Sequence, residues 1–362
     1  MKTITQIIGG AQALLDINYD LQGCFEEQLT EANKTFLHML RVLEDAQQPL
    51  YRPYAGVGRK PYQYTAFMRS IWAKNFFCIE KTSQLIDRLK TDPNLRQLCG
   101  FTKVPGKATF SRMLSCLSST SIACETLDEL VKNSHANRVV YHVNRDSTAI
   151  EAREKAVKKE KKTTKNRVGR PKKGEQRPES SRRGAVLKRQ AQQSLEQSLA
   201  ELPTQCSYGC KKDSKGVAYF WRGYKLHLDV SDSGYPLSAV VTSAHLHDNQ
   251  VAIILEKMTE AKVQSCYSLM DSAYDSQVIK AYIESRGRVP IIDPNPRYSP
   301  PLDPAKQQRF KIRTTVERAY SYLKDNLIPK NIYVKGYQKV SFVLMNAVLC
   351  LAALRTLQFS TS

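Results

Sequence analysis

The sequence predicts an α+β chain, with a helical N-terminal domain followed by a mixed five-stranded sheet flanked by helices. Three observations lead there. Apolar residues recur at helical spacing up to about residue 135. At Arg138 the character changes to short β-branched and aromatic runs. From that point the order is strand, strand, strand, helix, strand, helix, strand, helix.

The helical part begins with Leu29, Ala32, Phe36, Met39, Leu40 and Leu43, which share one helix face. A second helix is expected over Thr65–Phe77. A third, capped by Thr82 or Ser83, carries Leu85, Ile86 and Leu89. Asp92-Pro93 starts a short fourth helix, with Asp92 as cap and Pro93 at the first helical position, and Gly100 ends it. After the turn at Val104-Pro105-Gly106, Thr109 is expected to cap a helix through Leu117. Helix, glycine-containing turn and second helix, with Lys107 and Arg112 near its start, outline a DNA-reading helix-turn-helix. A helical domain without that role fits the pattern as well.

Val139–Val143 reads as the first strand and runs into Asp146. Tyr219–Val230 supplies one or two strands, Leu237–Thr242 the next, Cys266–Met270 another and Val289–Ile292 the last. Helices are expected over Asp248–Glu260, from Ser276 to Gly287, over Ala305–Asn326 and over Val340–Leu357. The domain reading is therefore 1–135 for the helical domain, 136–150 with 205–362 for the sheet domain, and 151–204 for an insertion. Between Glu151 and Arg189 there are sixteen Lys or Arg and five Asp or Glu, a net charge of +11. With almost no large apolar residue, that stretch cannot offset its ordering entropy, and partial disorder is expected. Leu187, Leu195, Leu199 and Leu202 mark a returning helix.

Composition narrows the partner. The 362 residues carry 55 Lys and Arg against 34 Asp and Glu, a net charge of +21. Such an excess calls for a polyanion. The N-terminus lacks a signal-peptide cleavage pattern. The most apolar run, Val340–Leu354, is short and contains Ser341 and Asn346, which makes it a core helix. The expected partner is double-stranded DNA, with no membrane, in a cytoplasmic, nucleoid-associated protein. The nine cysteines include no Cys-x2-Cys pair and read as reduced thiols.

This element order is that of an RNase H-like domain. In such a sheet the first and fourth strands lie side by side and parallel, and open α/β sheets place sites outside the carboxyl ends of strands at such points. Asp146 and Asp271, 125 residues apart, would meet there. Adjacent carboxylates repel unless a cation joins them. Two hard divalent ions would resolve that and would suit phosphodiester chemistry. A third acid should come from a helix, and Glu317 supplies it. On a regular helix with Arg313 at zero, Lys324 falls at about 20°, Glu317 at about 40° and Phe310 at about 60°. Val316, Tyr320, Leu323 and Leu327 form an apolar stripe about 90° away.

Phe310, Arg313, Glu317 and Lys324 match the spacing of a Tyr-x2-Arg-x3-Glu-x6-Lys signature, with Phe for Tyr. Arg145-Asp146-Ser147-Thr148 and Asp271-Ser272-Ala273-Tyr274-Asp275-Ser276 resemble the first- and second-acid motifs of the same family. The segments Gly223–His227 and Val241–Asp248 resemble its second and third strands, and Tyr51–Leu117 its helical N-terminal domain. On these motifs the chain resembles bacterial insertion-sequence transposases with a DDE catalytic domain. The resemblance implies cleavage at mobile-element ends and strand transfer, with two Mg2+ ions per site (Mn2+ as substitute) held by Asp146, Asp271 and Glu317. It implies DNA contacts from Arg313, Lys324, Phe310 and Arg318, and a homodimer or higher assembly on DNA. Only 46 positions separate Asp271 from Glu317, which leaves no room for the large insertion some relatives carry there.

Two further motifs are rich in polar and basic residues. His245-Leu246-His247-Asp248 reads as a polar rim of the site, with His247 and Asp248 supporting the metal ligands from behind. Val168–Gly174, with Arg167, Arg170, Lys172 and Lys173, is either a minor-groove hook or a solvated basic loop touching phosphates. Competing functions are an RNase H-like nuclease or junction resolvase without strand transfer, and a transposase-derived DNA-binding regulator.

Overall fold

A computed structural model describes residues 29–48, 56, 61–136, 138–157, 184–212, 216–294 and 300–360. The chain divides into two compact units. One comprises Met1–Asn137, Gly234–Leu237 and Arg318–Ser362, and the other Arg138–Ser233 and Ser238–Glu317.

The first unit is helical. Helix α1 (Glu31–Ala46) is capped by Thr30, whose hydroxyl accepts from the Asn33 N–H at 3.2 Å. Helix α2 (Tyr64–Phe76) and helix α3 (Thr82–Thr91) follow. Thr82 is the first helical residue rather than the cap. The preceding Lys81 N–H is instead taken up by Gln84 Oε1 at 2.9 Å. Helix α4 (Pro93–Leu98) starts as expected, with Asp92 accepting from the Leu95 N–H at 2.8 Å. Gly100 follows at φ +81°, a left-handed turn that glycine adopts without steric penalty. Helix α5 (Lys107–Leu117) begins two residues before Thr109, with Gly106 at the cap, and helix α6 (Ile122–His135) completes the N-terminal set.

The C-terminal helix of this unit is longer than the sequence reading allowed. It covers Tyr337–Ser360, 24 residues, because no glycine or proline interrupts the run after Gly336. By length and composition it could cross a membrane, but it is mostly buried within the protein, against α1, α2 and α6. Its interior polar group is matched: Trp72 Nε1 donates to Asn346 Oδ1 at 2.8 Å, and Asn346 Nδ2 donates to the Phe342 carbonyl at 2.7 Å.

The second unit is built on a six-stranded sheet, one strand more than expected. Its strands are β1 (Val140–Glu151), β2 (Ser207–Lys212), β3 (Ala218–Ser231), β4 (Pro236–Ser243), β5 (Ser265–Met270) and β6 (Val289–Ile292). Strand β3 is the single long strand that could have been two. It pairs antiparallel with β1 from Val143↔Ser231 to Glu151↔Gly223, and with β2 from Ser207↔Gly223 to Lys212↔Ala218. The extra strand is β2, which forms a hairpin with the first part of β3. Strand β4 also pairs with β3. On the other side, β1 is parallel to β5 and β5 to β6.

Helices α7 (Ala185–Gln192) and α8 (Leu195–Ala200) lie in the stretch read as an insertion, yet they belong to this core. Leu187 packs with Ile253, Tyr274, Ile279 and Ile283, while Leu195, Leu199 and Leu202 pack against Val240, Leu246 and Ile254. Helix α9 (Ala252–Glu260) follows a 3-10 turn at Asp248–Val251, and helix α10 (Gln277–Ser285) runs to the left-handed Gly287. Helix α11 (Pro304–Phe310), a 3-10 turn (Lys311–Arg313), helix α12 (Thr314–Tyr322) and a π-turn (Leu323–Leu327) replace the single helix expected there. Counting α13 for Tyr337–Ser360, the helices number thirteen among the described residues. No disulfide joins the eight described cysteines.

Candidate carboxylate site

Strand β1 does not end at Asp146. It continues to Glu151, paired only with β3, and Asp146 lies opposite Leu228. What ends near Asp146 is the parallel neighbour. The pairing with β5 runs His142↔Tyr267, Val143↔Ser268, Asn144↔Leu269, and β5 stops at Met270. Extending that register by two residues sets Asp146 level with Asp271. The juxtaposition expected from topology is therefore present, although the first strand overshoots it.

Asp271 caps the 3-10 turn Ser272–Tyr274, its Oδ1 accepting from the Ala273 N–H at 3.1 Å. Glu317 stands in the first turn of α12. Arg313, at the end of the preceding 3-10 turn, joins the three acids. Its Nη1 donates to Glu317 Oε1 at 2.8 Å, and its Nη2 lies 3.4 Å from Asp146 Oδ2 and 3.9 Å from Asp271 Oδ2. Side-chain exposure falls from 54% at Glu317 and 37% at Asp271 to 18% at Asp146.

Burial pushes the Asp146 carboxyl up to about 6, against the pull of Arg313, Lys211 and the Ser147 backbone, and neighbouring Asp271 adds to the rise. Asp271 is likewise raised, first by burial, with Arg313 and the Ala273 N–H pulling back. Beneath them, Tyr274 is fully buried and its hydroxyl has no hydrogen-bond partner among the described residues. The Arg313 Nε is also unpartnered and buried. The donors are hard oxygens suited to Mg2+-type cations. Among the described residues, no three acidic, His or Cys side chains are grouped as a metal cage; the three carboxylates share the Arg313 guanidinium.

Several residues around the acids gave no sequence signal. Lys211 on β2 donates to the Ser147 carbonyl at 2.9 Å. Lys225 donates to Asp248 Oδ1 at 2.7 Å and to the Leu246 carbonyl at 2.7 Å. Burial works to raise Asp248, but His227, Lys225 and Lys211 outweigh it and leave the carboxyl below its ordinary value. His245 bonds to Ser207 Oγ at 2.9 Å, and both His245 and His247 are exposed. Next to Asp146, Arg145 is fully buried and makes two 2.7 Å bonds to Asp229 and one of 2.8 Å to Glu256. Arg288 meets the other oxygen of Glu256 at 2.8 Å. Alternation in the strand predicts that Arg145 and Asp146 point to opposite faces, but not which acids Arg145 would find.

Phe310 is half-buried at the end of α11, and Arg318 is exposed on α12. Lys324 is exposed in the π-turn. A 3-10 turn at Lys311–Arg313 and a π-turn at Leu323–Leu327 flank the α-helical turns that carry Glu317. The spacing survives between Arg313 and Glu317, which are bonded. The stripe Val316, Tyr320, Leu323 and Leu327 is buried as expected. Lys107 and Arg112 are exposed on α5. Arg167, Arg170, Lys172 and Lys173 lie outside the described residues.

Two family models match the chain. One described as a transposase DDE domain covers residues 146–353, more than half the chain, and begins at Asp146. One described as a transposase domain (DUF772) covers residues 24–116. No curated protein and no solved structure matches.

Proposed function

The chain belongs to the DDE-domain transposases of insertion sequences, and from that membership we propose that it binds the ends of a mobile element, cleaves them and joins their 3′-hydroxyls to target DNA. The observation that carries the proposal is the convergence of Asp146, Asp271 and Glu317 on one guanidinium at the carboxyl end of β5. The sheet order, with β1 parallel to β5 and antiparallel to β3, supports an RNase H-like reading of the second unit.

In this reading Asp146, Asp271 and Glu317 hold the divalent cations, Mg2+ by preference. Bound there, the cations would supply Lewis-acid activation for a water or a 3′-hydroxyl and charge stabilisation for the leaving oxygen. Arg313 keeps the acids together without them, and on loading turns toward a DNA phosphate. Arg145, clamped by Asp229 and Glu256, fixes the strand that presents Asp146. Asp248 is held by Lys225 and borders the site. Arg318, Lys324 and the exposed cations of α5 contact DNA outside it. The net charge of +21 supplies long-range attraction to the duplex.

The test uses Asp271→Asn on duplexes taken from the DNA that flanks the gene. An amide is a poorer ligand for a hard cation than a carboxylate. Binding within about twofold of wild type and loss of Mg2+-dependent cleavage is the expected result. Cleavage near the wild-type rate would remove Asp271 from the mechanism.

A further inference from the structure

The β2–β3 hairpin has two unlike faces. From the register Tyr208↔Arg222, Gly209↔Trp221, Cys210↔Phe220 and Lys211↔Tyr219, one face carries Gly209, Lys211, Tyr219 and Trp221 and the other Tyr208, Cys210, Phe220 and Arg222. The first face is engaged with the rest of the unit. Trp221 is 3% exposed and donates to the Tyr224 carbonyl at 3.1 Å. Tyr219 stacks on Trp221 and bonds to Glu151, and Lys211 reaches Ser147 beside Asp146. At Gly223, opposite Ser207 at the open end of the hairpin, a φ of +153° and the nearby Ile150 carbonyl leave no room for a side chain.

The second face is open to solvent. Tyr208 is 64% exposed and Phe220 68%, with Arg222 and Cys210 exposed beside them. Singly exposed apolar residues need no explanation. Here two aromatic rings and an arginine share one face of a short hairpin whose opposite face is tied to the carboxylate site. In the paired residues 207–212 and 218–223, Lys211, Lys212 and Arg222 are cations and no residue is acidic.

We propose that the outer face of this hairpin binds unpaired DNA bases beside the carboxylate site, with Tyr208 and Phe220 as stacking platforms and Arg222 on the adjoining phosphate. The proposal rests on the DNA-cleaving reading above. Aromatic rings interleaved with cations suit single strands, because every base has a π-face and the backbone is anionic. A paired base keeps its faces within the duplex stack, so the surface selects DNA that is open or frayed. The connection of Lys211 to Ser147 couples the arm to the strand that presents Asp146.

The experiment measures Kd of the full chain for three fluorescent DNAs of the same length: a duplex, the same duplex with a central mismatched bubble, and a single strand. Wild type and the double variant Tyr208→Ala/Phe220→Ala are compared. Both aromatic side chains are largely exposed, so the double variant should fold, which its melting curve checks. Expected for the double variant is a loss of about tenfold on the bubble and single strand, at the lower end for one lost stack, with duplex affinity unchanged. A Phe220→Trp variant should keep the preference. An equal loss on all three DNAs, or no loss, would overturn the stacking assignment. So would conversion of a dimer into a monomer by the double variant, which would make the patch a contact between copies. If wild type binds none of the three DNAs, the reading of DNA cleavage itself fails, which is a different outcome.

Discussion

The Arg313 guanidinium lies 3.4 Å from the Asp146 carboxylate, and through its other nitrogen 2.8 Å from Glu317. One internal cation thus holds acids that would otherwise repel. Replacing it with methionine keeps much of the volume and removes the charge. Arg313→Met should lower stability in chelator by about 1–3 kcal/mol, less than for a fully buried pair because the site is partly hydrated. Excess Mg2+ should restore much of that loss. Thermal melts with and without Mg2+ decide it, and an equal loss in both conditions would reduce Arg313 to a packing residue.

The raised Asp146 carboxyl gives a pH dependence with a definite sign. Its folded value, about 6, lies above the unfolded value near 3.8. Between those values the folded state holds more protons than the unfolded state, so stability falls as pH rises through that window and stays lower above it. Asp146→Asn removes the effect. The variant should be more stable than wild type at pH 8 in chelator, on the order of 1–3 kcal/mol, and equal to it below about pH 4. Cation binding needs the ionised form, so Mn2+ affinity of wild type should weaken steadily below about pH 6. Calorimetry across pH 4–8 tests both, and a flat stability difference would remove Asp146 as the titrating group.

Tyr274 gives a contrast between fold and function. A buried hydroxyl without a partner is unfavourable in the absence of other groups. Tyr274→Phe should leave the melting temperature unchanged or raise it, by up to about 1 kcal/mol of stability. If the hydroxyl supports the loaded site, Mg2+-dependent cleavage should fall at the same time. Wild-type cleavage in a stabilised variant would leave the hydroxyl without a functional part.

The pairing of Asp146 with Asp271 was legible because element order alone fixes which strands adjoin. The end of β1 was not legible. Nothing in Arg145-Asp146-Ser147-Thr148 announces that β3 carries on pairing past the end of β5. Glu317 and Arg313 were readable from their spacing of four, which holds in any nearly regular helix. The change to a π-turn at Leu323–Leu327, which holds Lys324, was not legible, because no residue there marks it. Lys211 and Lys225 read as two cations among many. Only the bend of the β2–β3 hairpin and the close of β4 bring them to Ser147 and Asp248.

The Arg145 network predicts a large effect from one substitution. Arg145, Asp229 and Glu256 are each about 1% exposed or less. Removing the cation leaves two buried carboxylates, with Arg288 reaching only Glu256. Arg145→Met should destabilise by about 3–5 kcal/mol. Asp229→Asn in the same background should recover part of that, because it deletes one stranded charge. Urea melts of the single and double variants test the coupling, and simple additivity would show that the pair is not energetically linked.

The last prediction concerns the basic segment between β1 and β2. The sequence placed its boundary at Arg189, but Leu187 is buried among Ile253, Tyr274 and Ile279. A deletion reaching that far would strip a core residue and confuse loss of binding with loss of fold. The cut should therefore take residues 158–183 alone, which contain twelve Lys or Arg and three Glu, a net +9. Loop-closure entropy grows only logarithmically with length, so a short Gly-Ser linker should leave the melting temperature close to wild type. Each phosphate neutralised by the segment releases counterions, and log affinity falls with log salt in proportion. The shortened protein should therefore bind DNA with a distinctly shallower salt slope. If Arg170 and its neighbours enter the minor groove, the loss should be greater on A·T-rich duplexes; contact with phosphates alone should weaken all sequences alike. An unchanged salt slope would mean that residues 158–183 do not meet DNA, and that the charge they carry serves another partner.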